Sequence, residues 1–563
     1  MKQLPNCTES ESESRLDAET GQIMAPIQTS WLRSFPAYAP VDLPQCVLFA
    51  RPIPKLSFGA LRRVNRTIVP DASVTVEAGL KPSNQWWRAV VPILITLVLA
   101  FMPPPTGLGQ HAWYYFALFA GVIAALVTEP LPNPAVGLVG LTLAAVLSRW
   151  TLYSPEDLAK PGFNVVTGSI NWALSGFAST TVWLVGAAFM FALGYEKTGL
   201  GRRIALLLVR ALGRRTLTLG YATTFADAIL GPVTPSNTAR GAGILFPIVN
   251  NLPGLYDSRP HDPSARKIGG YIMWTTFAAD CVTSTLFMTA CAPNFLARDF
   301  INRIAHISIS YADWMRASVP FALPLLLAVP LLTYWLFPPH IKRSPEVSSW
   351  ARDELVKMGP VSWRERVLGV LVLGAIVLWV LGGSFIDPTL VAFVALSLML
   401  VLGVVTWGDM ARNHSAWTTI VLLATLVTLA DGLSRAGFVK WFADYTAAHV
   451  VGLSPELILT SLVTIYFIAH YMFASLTAHT TAMMPVMLAA GLSVPGLSPA
   501  ALAMGLALTT GLIGILTPYA TGAALPYYNS GYLTPAQFWR LGAVFGAIFL
   551  AALLFVGLPL LPG

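Results

Sequence analysis

The sequence predicts an all-α polytopic membrane protein built as an inverted repeat, and three observations predict it. Of 563 residues, 55% are hydrophobic and only 11% charged, and the mean hydropathy is positive, outside the range of soluble domains. The basic residues fall in short loops between apolar runs, as topology signals do. Each half of the chain also carries one apolar segment interrupted by a polar tip, which predicts two re-entrant hairpins.

The excess of 35 Lys and Arg over 27 Asp and Glu therefore reports orientation and not a nucleic-acid partner. The four cysteines give no C-x-x-C pair, zinc spacing or disulfide framework, and no metal or cofactor is expected. Neither H-E-x-x-H nor G-x-S-x-G occurs, which argues against an integral membrane enzyme.

In chain order, residues 1–85 are polar and proline-bearing, and read as a largely disordered extension. Its acidic start, from Glu9 to Glu19, argues against a signal or transit peptide beginning at Met1. From Met24 the balance turns basic, so a transit sequence or a later start remains an alternative. The first membrane repeat, 86–337, opens on the interface anchor Trp86-Trp87-Arg88, with spans near 88–103, 111–130, 134–150 and 173–195. Lys197, Arg202, Arg203, Arg210, Arg214 and Arg215 mark the next loop as cytoplasmic, and a hairpin over 216–252 starts and ends there.

The tip of that hairpin, Thr234–Pro247, reads TPSNTARGAGILFP between the arms Leu217–Leu230 and Ile244–Val249, each too short to cross a bilayer. Non-helical backbone survives at membrane depth only where protein buries it or it lines an aqueous cavity, so the tip suggests a binding site. A short surface loop is the bland alternative. A long span over 268–297 follows, and its middle, TSTLFMTACAPN, predicts a broken helix: Pro293 removes a backbone donor and nearby hydroxyls can satisfy what it frees. An unbroken helix with back-bonded hydroxyls is the alternative.

A span near 318–337 leads to a charged linker, 338–366, read as cytoplasmic. The second repeat, 367–563, restates the plan with spans near 367–385, 388–406 and 416–436, a hairpin over 455–491, an interrupted span over 498–528 and a last span near 538–560. The second tip reads SLTAHTTAMMP. Ser236, Thr238, Ala239, Arg240 and Pro247 superpose on Ser475, Thr477, Ala478, His479 and Pro485 with one gap, and upstream Gly199 matches Gly437. Counting crossings places the two hairpins on opposite faces. That arrangement is the sequence mark of a secondary transporter's substrate site.

Two half-helices ending near the midplane turn their N-terminal dipole ends into one cavity, which favours an anion. Ser236, Thr238, Ser475 and Thr477 add neutral donors, and Asn237 can donate or accept, which suits a small dicarboxylate better than a cation. Arg240 and His479 place ionisable groups just beyond each tip, where such groups are usually functional. Either could instead pair with Asp227, Asp280 or Asp431, or, for His479, stay neutral.

TPSNTARGAGILFP, SARKIGGYIMW with TACAPN behind it, HYMFASLTAHTTAMMPV and LTPYATGAALPYYNSGYLTPAQFWRLGAVFG, in this order across 86–563, resemble the divalent anion/sodium symporter (DASS) family. The likeness lies within the branch of the bacterial citrate/succinate and tartrate/succinate antiporters and the plastid 2-oxoglutarate/malate translocator. It implies a homodimer in the bilayer, about eleven spans per chain and an elevator mechanism. It also implies substrate carboxylates held by Ser236, Asn237 and Thr238 at one tip and by Ser475 and Thr477 at the other. The unwound segments around Thr289, Pro293 and Asn294, and around Thr521 and Gly522, would complete the pocket.

Leu476 stands where cation-coupled members carry a second asparagine, and a basic residue follows each tip. Arg240 and His479 are therefore expected to supply fixed charge in place of sodium, so that an empty carrier cannot return and exchange of 2-oxoglutarate, malate, succinate, citrate or tartrate is obligatory. The alternative is a sodium- or proton-coupled dicarboxylate symporter. The expected location is a bacterial inner membrane, or a plastid inner envelope if the extension is a transit peptide.

Overall fold

A computed structural model describes residues 86–382, 385–449 and 453–561; the expectation for 1–85 lies outside them. Among the described residues the elements are all helical, apart from an isolated bridge between Arg215 and Arg343. Five helices among the described residues are long and apolar enough to cross a membrane: Gln110–Thr128, Tyr311–Leu336, His414–Arg435, Pro455–Met472 and Pro535–Leu560. The outer surface is itself apolar. Ile93, Leu97, Val370, Leu373 and Val377 are exposed, as lipid contact requires.

The opening pair, Trp87–Phe101 and Gln110–Thr128, packs together. The Trp113 indole donates to the carbonyls of Leu99 and Met102 at 2.8 and 3.0 Å, tying the second helix to the end of the first. The span expected over 173–195 is divided into Val165–Leu174 and Thr180–Thr198. Gly176, between them, presses so closely on the Ala424 carbonyl that a Cβ would come within 2.0 Å of its oxygen.

The equivalence of Gly199 and Gly437 has a structural basis. Both take left-handed φ values, 76° and 89°. Each ends a long helix (Thr180–Thr198, His414–Arg435) and turns the chain into a shorter one (Leu200–Leu212, Phe438–His449).

Within the charged linker, Pro345–Met358 is a helix docked on Leu200–Leu212. Val347, Ala351 and Leu355 are its buried stripe, at helical spacing. Polar ties hold it: Arg203 pairs with Glu365 at 2.6 Å and donates to the Gly359 carbonyl, and Arg202 pairs with Glu354 at 2.8 Å.

Each interrupted segment is two half-helices around an irregular stretch. The first hairpin runs Thr216–Leu230, then a tight turn at Gly231–Val233, then Thr238–Leu245 and Phe246–Val249. The second runs Pro455–Ala469 and Leu476–Leu492. The span over 268–297 is broken, as Gly269–Leu286 and Ala292–Phe300, with Pro293 in the first turn of the second piece, where its missing N–H is no loss. The carbonyls freed at the break find donors. Asn294 Nδ2 reaches the Ser284 oxygen at 2.7 Å, Trp314 Nε1 that of Thr285 at 2.9 Å and Ser318 Oγ that of Leu286 at 2.7 Å. The last interrupted segment runs Pro499–Leu512, continues through Ile513–Ile515, and resumes as Ala524–Asn529.

Candidate functional site

Ser236 and Ser475, 239 positions apart in the chain, line one cavity of about 190 Å³. Asn237, Thr238 and Thr477 join them from the two tips, Pro293 from the first break, and Thr521 and Gly522 from the second. No lining residue is ionisable. Positive potential at this depth comes from the N-terminal ends of Thr238–Leu245 and Leu476–Leu492.

The hydroxyl orientations follow from the backbone. Ser236 Oγ accepts from the Ala239 amide at 3.1 Å, and Ser475 Oγ from the Ala478 amide at 3.5 Å. Both act as helix caps, and both keep their own hydrogen free to donate to a guest. Asn237 spends its groups on order: Oδ1 accepts from the Thr238 amide at 2.9 Å, and Nδ2 donates to Thr521 Oγ1 at 2.9 Å. That bond ties the first tip to the second break and leaves the Thr521 hydrogen free. A Cβ on Gly522 would stand 2.8 Å from Thr238 Oγ1, so this junction admits only glycine without a shift.

Four expected residues do not line the cavity. Thr289 is buried within the tight turn Met288–Ala290, and Asn294 serves the first break as its carbonyl donor. Arg240 lies behind the tip, wholly buried. Its Nε meets Asp227 and its Nη2 meets Asp280, both at 2.8 Å. Its Nη1 donates to the Thr234 carbonyl of the tip at 3.2 Å and to the Ala290 carbonyl of the break at 2.9 Å. The expectation that Arg240 presents uncompensated charge to the cavity is corrected by this pairing: a guanidinium clamped by two buried carboxylates is already neutralised. What it does is gather carbonyls from two irregular segments, as a bound cation would.

His479 differs. Its ring sits among Tyr466, Phe473 and His470 at centroid distances of 4.3, 5.0 and 5.0 Å, and neither nitrogen has a hydrogen-bond partner among the described residues. It reaches no carbonyl of the second break; His470 does so instead, 3.1 Å from the Ala520 oxygen. Asp431 pairs elsewhere, with Arg435 and, at 3.4 Å, with Arg303, which also holds Asp299.

The sequence reading missed the wall facing the tips. Phe189, on Thr180–Thr198, and Thr419, Leu422 and Leu423, on His414–Arg435, close the cavity opposite the two hairpins. Both helices are uninterrupted, so no local irregularity marks these positions. A larger cavity of about 740 Å³ shares Phe189, Ser236 and Thr238 and extends to Arg202, Trp350 and Met358, on the side of the linker helix.

A family model described as the sodium:sulfate symporter transmembrane region matches residues 83–560. The L-tartrate/succinate antiporter of Escherichia coli strain K12 is 48% identical over 483 residues, covering 86% of this chain and 99% of that protein. The L-tartrate/succinate antiporter of Shigella sonnei gives the same figures. Among solved structures, the Alcanivorax borkumensis YdaH transporter is similar over 77% of this chain and 100% of its own, with a TM-score of 0.52 at 17% identity, a likeness of fold.

Proposed function

We propose, from the premise that this chain belongs to the sodium:sulfate symporter (DASS) family and is a multi-pass membrane transporter and not an enzyme, that it exchanges small dicarboxylates across the membrane. The observation that carries the reading is the convergence of two helix-capping serines, each with a free hydroxyl hydrogen, on one cavity free of ionisable side chains. A dianion has two carboxylates to place; Ser236 with Thr238 takes one, and Ser475 with Thr477 the other. Succinate and L-tartrate are the favoured guests, since the bacterial relatives are antiporters named for them. Malate, 2-oxoglutarate and citrate belong to the same chemical class. The bacterial relatives also favour the inner membrane over a plastid envelope.

Exchange is sodium-independent in this reading. The Leu476 side chain has no oxygen to offer a cation, where cation-coupled members carry an asparagine, and the carbonyls of Thr234 and Ala290 are already taken by Arg240. Alternating access follows an elevator scheme in a homodimer: the hairpins and broken helices carry the guest past the wall formed by Phe189, Thr419, Leu422 and Leu423. The test is counterflow in proteoliposomes. Labelled succinate should enter vesicles loaded with succinate or tartrate and not empty ones, with or without a sodium gradient. Accumulation in empty vesicles driven by sodium or protons alone would replace exchange with coupled uptake.

A further inference from the structure

We propose that Thr419 reads the hydroxyl groups of the guest and sets the preference for hydroxylated over plain dicarboxylates, an inference that rests on the dicarboxylate reading above. Thr419 supplies the polar side chain on the wall opposite the tips, beside Phe189, Leu422 and Leu423. Its hydroxyl is committed in the opposite sense from those of the tips. Ser236 and Ser475 accept from backbone amides and so turn hydrogens toward the guest. Thr419 Oγ1 instead donates its one hydrogen to the Ser415 carbonyl at 2.7 Å, which leaves only lone pairs for the cavity.

That difference sorts guests by chemistry. An ionised carboxylate carries only acceptors, so it gains nothing from a bare lone pair and is turned toward the tips. A hydroxyl on an inner carbon is a donor, and it projects from the stretch between the two carboxylates, the part of the guest that faces the wall. Thr419 Oγ1 can accept from such a hydroxyl in tartrate or malate, whereas succinate has none to offer. The apolar neighbours Leu422 and Leu423 offer a guest hydroxyl no other polar side chain on this wall, so the Thr419 oxygen is the partner available to it there.

The experiment compares Thr419→Val and Thr419→Ser with the parent protein, full-length in proteoliposomes loaded with succinate, measuring uptake of labelled succinate, L-malate and L-tartrate. Valine keeps the shape and removes the acceptor, so the tartrate-to-succinate and malate-to-succinate ratios of kcat/KM should fall about three- to tenfold. Serine keeps the acceptor and should hold both ratios at the parent value. A merely structural role would lower all three rates together, and unchanged ratios in Thr419→Val overturn the inference. If Thr419→Val does not reconstitute, inhibition of succinate uptake by tartrate in Thr419→Ser and Thr419→Ala decides: equal inhibition constants overturn it. A parent protein that moves none of the three acids sinks the dicarboxylate reading itself, and this inference with it.

Discussion

Replacing Arg240 with alanine removes the one cation from a site whose two carboxylates, Asp227 and Asp280, are both fully buried. It also strips the Thr234 and Ala290 carbonyls and the Ser284 hydroxyl of a donor. Breaking a buried ion pair from one side costs about 3–5 kcal/mol, because the stranded charge has no solvent to turn to. That is a shift of about 10²- to 5×10³-fold in the equilibrium between the correctly assembled tip and its disrupted alternatives. What the mutation leaves is two carboxylates and two carbonyls around a hole, the ligand chemistry of a hard cation or of free guanidinium. Exchange by Arg240→Ala should therefore be nearly absent in choline buffer and partly restored by guanidinium or sodium, while the parent responds to neither. The assay is succinate counterflow with thermal unfolding followed in the same buffers. Full cation-independent exchange by Arg240→Ala would refute the reasoning, as would its failure to respond to any cation in a protein shown to be folded.

Three further outcomes follow from particular contacts. Gly522→Ala should raise KM and lower stability by about 1–3 kcal/mol, because its Cβ lands 2.8 Å from Thr238 Oγ1; Gly514→Ala, with neighbours no nearer than 3.4 Å, should be tolerated in the same transport and melting assays. Asn294→Ala strands the Ser284 carbonyl and should destabilise by about 1–3 kcal/mol in a melting experiment, with its effect on KM secondary because it does not line the cavity. Arg203→Met leaves Glu365 buried without its partner and should loosen the linker helix, read as faster proteolysis within 338–366.

Much of this was legible because membranes punish irregular backbone. An apolar segment interrupted by Pro235 or Pro293 has to be explained by a cavity or by local donors, so both hairpin tips and both breaks could be located from the residues alone. The glycines 199 and 437 were legible as a repeat for a related reason: a left-handed turn at the end of a helix asks for glycine. The partners of Arg240 were legible only as candidates. Asp227 lies 13 residues away and Asp280 40, and which carboxylates reach it is decided by packing. Asn294 shows the same limit within a correctly located segment, since a side chain beside a break can face the guest or cap the helix, and here it caps. Thr419 and Phe189 sit on regular helices in apolar surroundings, and only the folded chain turns them toward the tips. The linker, read only as charged and cytoplasmic, contains a helix whose period Val347, Ala351 and Leu355 carry openly.

The most direct measurement is a structure of the protein reconstituted in lipid with saturating succinate. One succinate should occupy the cavity between the hairpins, with one carboxylate within hydrogen-bonding reach of the Ser236 hydroxyl and the other within reach of Ser475. A guest bound to one tip alone, or lodged in the larger opening beside Arg202 and Trp350 with the tips empty, would contradict the account.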